Sequence, residues 1–245
     1  MRTAVQQSAV QKIQAMILDG AVADGGRLPA ERRLAERLGI SRASLREALS
    51  ILETMGLVRV EPGRGAYVVA DRADDDAAVP LPMWRFAGRY TLQEVYQVRL
   101  LTEGYAARLA AMAVADADIA ALHSLIGMHL DAARRRDLVA CAQADFDLHH
   151  DIMRLGQNRI LADLHETYHS IFLESQRLPM ARRTRIWEPI DEHEKIVRAL
   201  MRRDPDGAEY YMRLHITRAA ERGGIALGDT PPDAAAAMAA ASVEE

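Results

Sequence analysis

The sequence predicts a mostly α fold in two parts: a small N-terminal unit of short helices closed by a β-hairpin, and a C-terminal antiparallel helical bundle. Three observations predict it. Residues 27–69 hold two short amphipathic stretches followed by two strand-like runs. Residues 71–89 contain the polar run DRADDDAA with Pro80 and Pro82 and no apolar periodicity, the pattern of a linker. From Leu92 to about Ile225, apolar residues recur three and four apart without alternation, and six or seven helices fit that length. The expected divisions are 1–70, a linker over 71–89, a bundle over 90–225, and a tail over 226–245. The tail holds a low-complexity alanine run after two prolines and is expected to fray.

The first element is expected to be a helix, with Val10, Ile13, Met16 and Ile17 on one side. Two short helices then flank a tight Gly39-Ile40 turn, and the second begins after Ser41, a good N-cap. Leu45, Ala48, Leu49 and Leu52 share its core face, while Arg42 and Arg46 lie four apart on another. Leu57–Val60 and Ala66–Val69 are expected strands around the turn Pro62-Gly63-Arg64-Gly65. This is the layout of a winged helix-turn-helix, which lays its second helix in the DNA major groove. Arg42 and Arg46, with Ser41 and Ser44 beside them, sit where a recognition helix needs donors for phosphates and guanine edges. Arg64, flanked by glycines that include Gly65, can approach a backbone or minor groove closely.

Charge distribution fits that assignment. The chain of 245 residues has a net charge of -4, yet residues 1–70 carry ten Lys and Arg against seven Asp and Glu. The acidic excess lies in the second part, away from the proposed phosphates. No apolar run is long enough to span a bilayer, and the N-terminus lacks a leader's apolar core and cleavage site. Cys141 is the single cysteine, so no intrachain disulfide can form, and a reducing cytoplasm is the expected compartment.

In the bundle, Asp145 and His149 are four apart and share one helix face with Cys141 and Ile152. His193 has Ile196, Val197 and Leu200 on its side, and His215 has Ala208, Tyr211 and Ala219. One aspartate and three histidines on inward faces of three helices can converge as ligands for a divalent transition metal: zinc first, nickel or manganese next. They can equally form a hydrogen-bonded polar core. His150 points about 100° away and is not counted. His123, His129, His165 and His169 are assigned to ordinary helix faces. Arg182, Arg183 and Arg185 form a basic cluster read as a solvated loop. Arg99 either clamps a carboxylate bidentately or pairs with Glu103 on the helix surface.

The segments LPAERRLAERLGISRASLREAL and MGLVRVEPGRGAYV resemble the DNA-binding domain of GntR-type bacterial transcriptional regulators. The resemblance implies operator contacts by Arg32, Arg42 and Arg46 and a wing-tip glycine at Gly65. Ala30 departs from the serine cap common there. DFDLHHDIMRLGQN and HEKIVRALMRRDPDGAEYYMRLH resemble the FCD effector domain of the FadR-like branch. That implies metal ligation by Asp145, His149, His193 and His215, Asn158 as the asparagine following the metal-bearing helix, and a pocket-facing Arg99. It also implies a small organic acid as effector, and repression relieved by that effector. A homodimer on a palindromic double-stranded operator is the expected assembly. The alternative is a metal-dependent enzyme carrying a DNA-binding domain. Against it, no HExxH glutamate is present to serve as a base, and no catalytic residue is assigned.

Overall fold

In the computed structural model, the described residues are 2–69, 84, 86–181 and 183–227, side chains excepted at 2–8, 181 and 183. Helix α1 (Arg2–Leu18) buries Val10, Ile13 and Ile17, as their spacing predicts, and partly covers Met16. Helix α2 (Glu31–Leu38) starts at Ala30, which offers no capping side chain. It ends on Gly39 at φ +68°, a left-handed conformation that costs glycine little. That turn leads into α3 (Arg42–Thr54), capped by Ser41, whose Oγ accepts from the Ser44 amide at 3.0 Å. The apolar face of α3 packs on α1 and α2.

The wing is β1 (Val58–Glu61) paired antiparallel with β2 (Gly65–Val68). Both strands are displaced by one residue from their expected positions, because the ladder closes on the pair Glu61–Gly65 at the turn. Periodicity gave no sign of a third edge. Arg27 bridges Tyr67, and the Leu28 amide donates to the Ala66 carbonyl at 2.8 Å. Two residues are too few to show alternation. Gly65 lies at φ +112°, and a Cβ there would meet Arg27 Nε at 3.0 Å, so both backbone and space call for glycine.

Seven α-helices follow among the described residues: α4 (Leu92–Ala113), α5 (Asp116–Arg134), α6 (Leu138–Leu155), α7 (Arg159–Thr167), α8 (His169–Arg177), α9 (Glu188–Met201) and α10 (Pro205–Arg222). Short 3-10 turns at Leu178–Ala181 and Arg183–Arg185 join α8 to α9. Helix α4 opens with a capping box, in which Thr91 and Glu94 satisfy each other's backbone amides. Buried Ala106, Ala107, Ala110 and Ala111 keep α4 thin, and α10 packs along it. At Gly104 a Cβ would lie 2.8 Å from Arg213 Cγ, which shows how close the two helices run. None of the described helices is long and apolar enough to cross a membrane.

Polar contacts join the N-terminal unit to the bundle. Gln14 on α1 donates to Asp137 Oδ1 at 2.7 Å and accepts from the Val139 amide at 3.2 Å, both at the start of α6. Thr54, the last residue of α3, donates to Glu174 on α8 at 2.8 Å. Within the stretch expected to be a linker, Trp84 is buried; its Nε1 donates to the Tyr90 carbonyl at 2.6 Å, and its ring meets Phe86 edge-on. Residues 70–83 and 85, the tail from 228, and Arg182 of the basic cluster lie outside the described residues. Arg185 of that cluster grips Glu188 at 2.6 and 2.9 Å.

Candidate functional site

Helix α6 presents Asp145 and His149 one turn apart, α9 presents His193, and α10 presents His215. All four are buried, and one ligand atom from each lies within 4.8 Å of the others. His149 Nε2 is 3.1 Å from His215 Nε2. His193 Nε2 is 3.3 Å from Asp145 Oδ1, without hydrogen-bond geometry. Donors bound to one ion at about 2.0–2.2 Å stand roughly 2.8–3.6 Å apart at octahedral to tetrahedral angles. Both spacings fall in that range.

Two further carboxylates decide what these imidazoles can do. His149 Nδ1 faces Glu103 at 2.5 Å, and His215 Nδ1 faces Glu192 at 2.8 Å. Burial opposes ionisation of Glu103, yet Arg99 and His149 hold its carboxyl far below the usual range. Burial likewise opposes Glu192, and His215 with Arg222 brings it down to about 2. Both carboxylates are therefore acceptors. Each carboxylate faces an Nδ1, which leaves the two Nε2 atoms turned toward each other. At 3.1 Å, two ring nitrogens are joined by a proton or by a cation between them. Burial and the neighbouring His193 push His215 down to about 3, despite Glu192, which disfavours the proton. Asp145 completes the donor set: against burial, His193, His149 and His215 keep its carboxyl well below the usual value. The residues fit a divalent cation, and the carboxylate–histidine pairs are the outer support such sites use.

Arg99 pairs with Glu103, as one of its two expected readings holds, but the pair is fully buried rather than on the surface. Its Nε and Nη2 face Glu103 at 2.7 and 3.4 Å, while Nη1 makes only a 3.3 Å contact with Ser175 Oγ. Arg99 also lines a small cavity beside the cluster of Asp145, His149, His193 and His215. Asp145, His215, Gln176 and Arg222 form the rest of its polar wall, with Met180 and Pro189 on the apolar side. Glu103 was expected only as a surface partner of Arg99, and Glu192, Gln176 and Arg222 were not expected at the site. Glu192 stands next to His193, which could have drawn attention to it, but no spacing rule marks the others.

The remaining histidines divide differently from expectation. His129 and His165 lie in the interior rather than on ordinary helix faces, and burial pushes each down to about 4. The His129 ring centroid is 5.7 Å from that of His193, but His129 is outside the four-residue cluster. His150 turns away from the cluster, as expected, with Nδ1 3.4 Å from His165 Nδ1. Cys141 is buried, and burial pushes its thiol up to about 12, which makes it a packing residue.

On the N-terminal unit, Arg32, Arg42, Arg46 and Arg64 are all exposed. Glu31 sits between two of them, 3.8 Å from Arg42 and 3.1 Å from Arg46. Arg32 pairs with Glu36 and Arg64 with Glu61. The Ser41 and Ser44 hydroxyls lie 2.9 Å apart at the start of α3, beside the arginines, and Ser44 is half-buried. Arg64 and Gly65 occupy the wing tip. One helix end and one wing thus expose cations on rigid elements, an arrangement suited to the major groove and adjoining backbone.

Residues 5–68 match the family of bacterial regulatory proteins called gntR, and residues 94–218 match the FCD domain. The Glc operon transcriptional activator of Escherichia coli strain K12 is 30% identical over 224 residues, covering 88% of this chain and 87% of that protein. The Exu regulon transcriptional regulator of the same organism is 30% identical over 215 residues, covering 86% and 81%. A crystal structure of a GntR transcriptional regulator from Rhodococcus sp. RHA1 aligns with a TM-score of 0.50 at 18% identity, over 89% of this chain and 97% of that one, and shares the fold. With a winged DNA-binding unit in front and a helical effector domain behind, this chain belongs to the GntR family of bacterial transcriptional regulators and carries an FCD domain.

Proposed function

We propose that this regulator senses a small carboxylate at a buried metal centre and changes its hold on operator DNA in response. The observation that carries the proposal is the facing pair of His149 and His215, each held at Nδ1 by a buried carboxylate so that the two Nε2 atoms stand 3.1 Å apart among the four clustered donors. In this reading Asp145, His149, His193 and His215 hold one divalent transition ion, zinc by preference for this donor set, with nickel or manganese next. Such an ion, when bound, supplies positive charge and Lewis acidity that attract a carboxylate oxygen. Arg99 keeps Glu103 in place behind His149 and offers its outer edge to the carboxylate in the cavity. Arg222 does the same for Glu192 behind His215, with contacts of 2.8 Å.

On DNA, Arg42 and Arg46 read base edges and phosphates from α3, with Ser41 and Ser44 beside them. Arg32 reaches a phosphate from α2, and Arg64 with Gly65 brings the wing to the backbone. Glu31 gives up its arginines when phosphates arrive. A palindromic operator and a homodimer complete the proposal. Val98, Leu101, Tyr105 and Met112 are exposed on α4, and at 100° per residue they fall in one narrow stripe, suited to a second copy. The mode we carry forward is repression relieved by effector. A template transcribed more strongly with the protein than without it would replace that with activation.

The test is a gel shift on DNA selected by the protein from a random pool, with short organic acids added to zinc-loaded and zinc-stripped protein. The proposal expects an acid to change DNA affinity for loaded protein only. An equal response from stripped protein would remove the metal from the sensing role.

A further inference from the structure

The acidic bundle carries a basic cleft that neither DNA binding nor the ligand cluster uses. It lies between α9 and α10 and is lined by Lys195, Arg198, Ala199, Arg202, Asp204 and Tyr211. The cations follow one another along α9 to its C-cap at intervals of three and four residues. At 100° and 1.5 Å per residue they form one stripe about 60° wide and roughly 10 Å long, turned roughly 140–200° from His193. All three are exposed, and among the described residues none takes part in an ion pair. Elsewhere on the bundle, Arg108, Arg154, Arg185 and Arg218 each pair with a carboxylate. The dipole of α9 accounts for cations in its last turn, Arg198 and Arg202, but not for Lys195. Asp204 borders the cleft as the cap of α10, where its Oδ1 accepts from the Gly207 amide at 2.9 Å.

We propose that this cleft is a second ligand site, which takes a small molecule bearing a chain of two or three phosphates. Two guanidinium forks and an ammonium match phosphate oxygens, and Tyr211 brings a phenol to the same cleft. A single phosphate reaches only part of a row roughly 10 Å long, whereas a phosphate chain lies along it. Duplex DNA offers the same groups, but the cleft is at the wrong end of the bundle for it. Thr54 of α3 meets Glu174 on α8, Tyr96 near the start of α4 donates to the Ser175 carbonyl, and Arg222 at the end of α10 pairs with Glu188 at the start of α9. Those contacts mark the end that faces the DNA-binding unit. Arg108, toward the end of α4, pairs with Asp206 at the start of α10 and marks the other end. The cleft lies there, where α9 has run roughly 20 Å from Glu188 to Arg202.

Calorimetry on the full chain tests this with ATP, tripolyphosphate, AMP and inorganic phosphate, each with excess magnesium so that none strips a transition ion. Wild type should bind ATP or tripolyphosphate at least about tenfold more tightly than AMP and inorganic phosphate, because further charge-assisted contacts each contribute about that factor. The double variant Arg198→Gln with Arg202→Gln should lose at least about tenfold of that affinity. Arg134→Gln, which removes an exposed cation of α5, should bind as wild type does. Thermal melts of the variants report folding. Tighter binding of ATP than of tripolyphosphate supports the site and assigns it to a nucleotide; the reverse, or equality, supports it and assigns the phosphate chain alone. Failure of both to bind wild type overturns the proposal. So does equal affinity for the single phosphates, or affinity that survives in the folded double variant. An equal loss in Arg134→Gln also overturns it, because the attraction is then diffuse charge. If ATP and tripolyphosphate do not bind and the double variant instead weakens a gel shift, the cations contact DNA and the proposal fails.

Discussion

Glu103 and Glu192 set the tautomers of His149 and His215, and Arg99 and Arg222 in turn hold those carboxylates. At the residue scale the four clustered residues were legible: Asp145 and His149 share a helix face by spacing, and His193 and His215 each lie among apolar residues at helical intervals. Their supports were not, because Glu103, expected as a surface partner of Arg99, meets His149 only through the packing of α4 on α6, and Arg222 meets Glu192 only across α10 and α9. His165 is a second such case. Its apolar neighbours Phe146 and Phe172 come from α6 and α8, with His150 beside it. Burial pushes it down to about 4, opposed by Glu103 and aided by His149, His150 and Arg99. In the unfolded chain a histidine takes its proton near pH 6.5, so between about 6.5 and 4 the unfolded state binds more protons. Stability therefore falls as pH drops through that window, by up to roughly 3 kcal/mol from this group. Urea unfolding at several pH values should show a shallower fall for His165→Phe; an identical slope would mean His165 titrates normally. The exposed arginines make a separate prediction. Arg42→Ala or Arg46→Ala should each weaken operator binding by about 1–3 kcal/mol, with metal content unchanged. Unchanged gel-shift affinity in both variants would remove these residues from the DNA contact set.

At the element scale, α8 touches both ends of the proposed mechanism. Gln176 lines the cavity, Ser175 faces Arg99, and Glu174 receives the hydroxyl of Thr54 at the end of the recognition helix. No periodicity in the sequence distinguishes α8 from its neighbours, and a run of four buried polar residues looks like a solvated turn until its partners are known. Most other elements were legible. The seven bundle helices follow from apolar spacing, and Gly39 and Ser41 mark the turn and cap of the N-terminal pair. The expected strands were off by one residue, because a glycine at positive φ can begin a strand as readily as end a turn. If α8 carries the signal, Thr54→Val should reduce the ratio of DNA affinities without and with effector toward one, and Thr54→Ser should keep it near wild type. A wild-type ratio in a folded Thr54→Val variant would exclude this contact as the link. Thr54→Val should also cost about 1–3 kcal/mol of stability, since it leaves a buried carboxylate short of a donor.

For the whole molecule, the basic N-terminal part and the acidic remainder separate the DNA face from the sensing bundle. The apolar stripe on α4 gives the proposed dimer its own test: Leu101→Glu should shift sedimentation toward monomer, while an unchanged mass would place the interface elsewhere. The proposed metal would join three helices, because its four candidate ligands come from α6, α9 and α10. The most direct measurement is elemental analysis of protein purified without chelator or affinity tag, alongside the double variant His193→Ala with His215→Ala. The predicted result is close to one divalent transition ion per chain in wild type and none in the variant. Wild-type protein that carries no such ion, and takes up none when zinc, nickel or manganese is added at neutral pH, would contradict it and leave the four residues a hydrogen-bonded polar core.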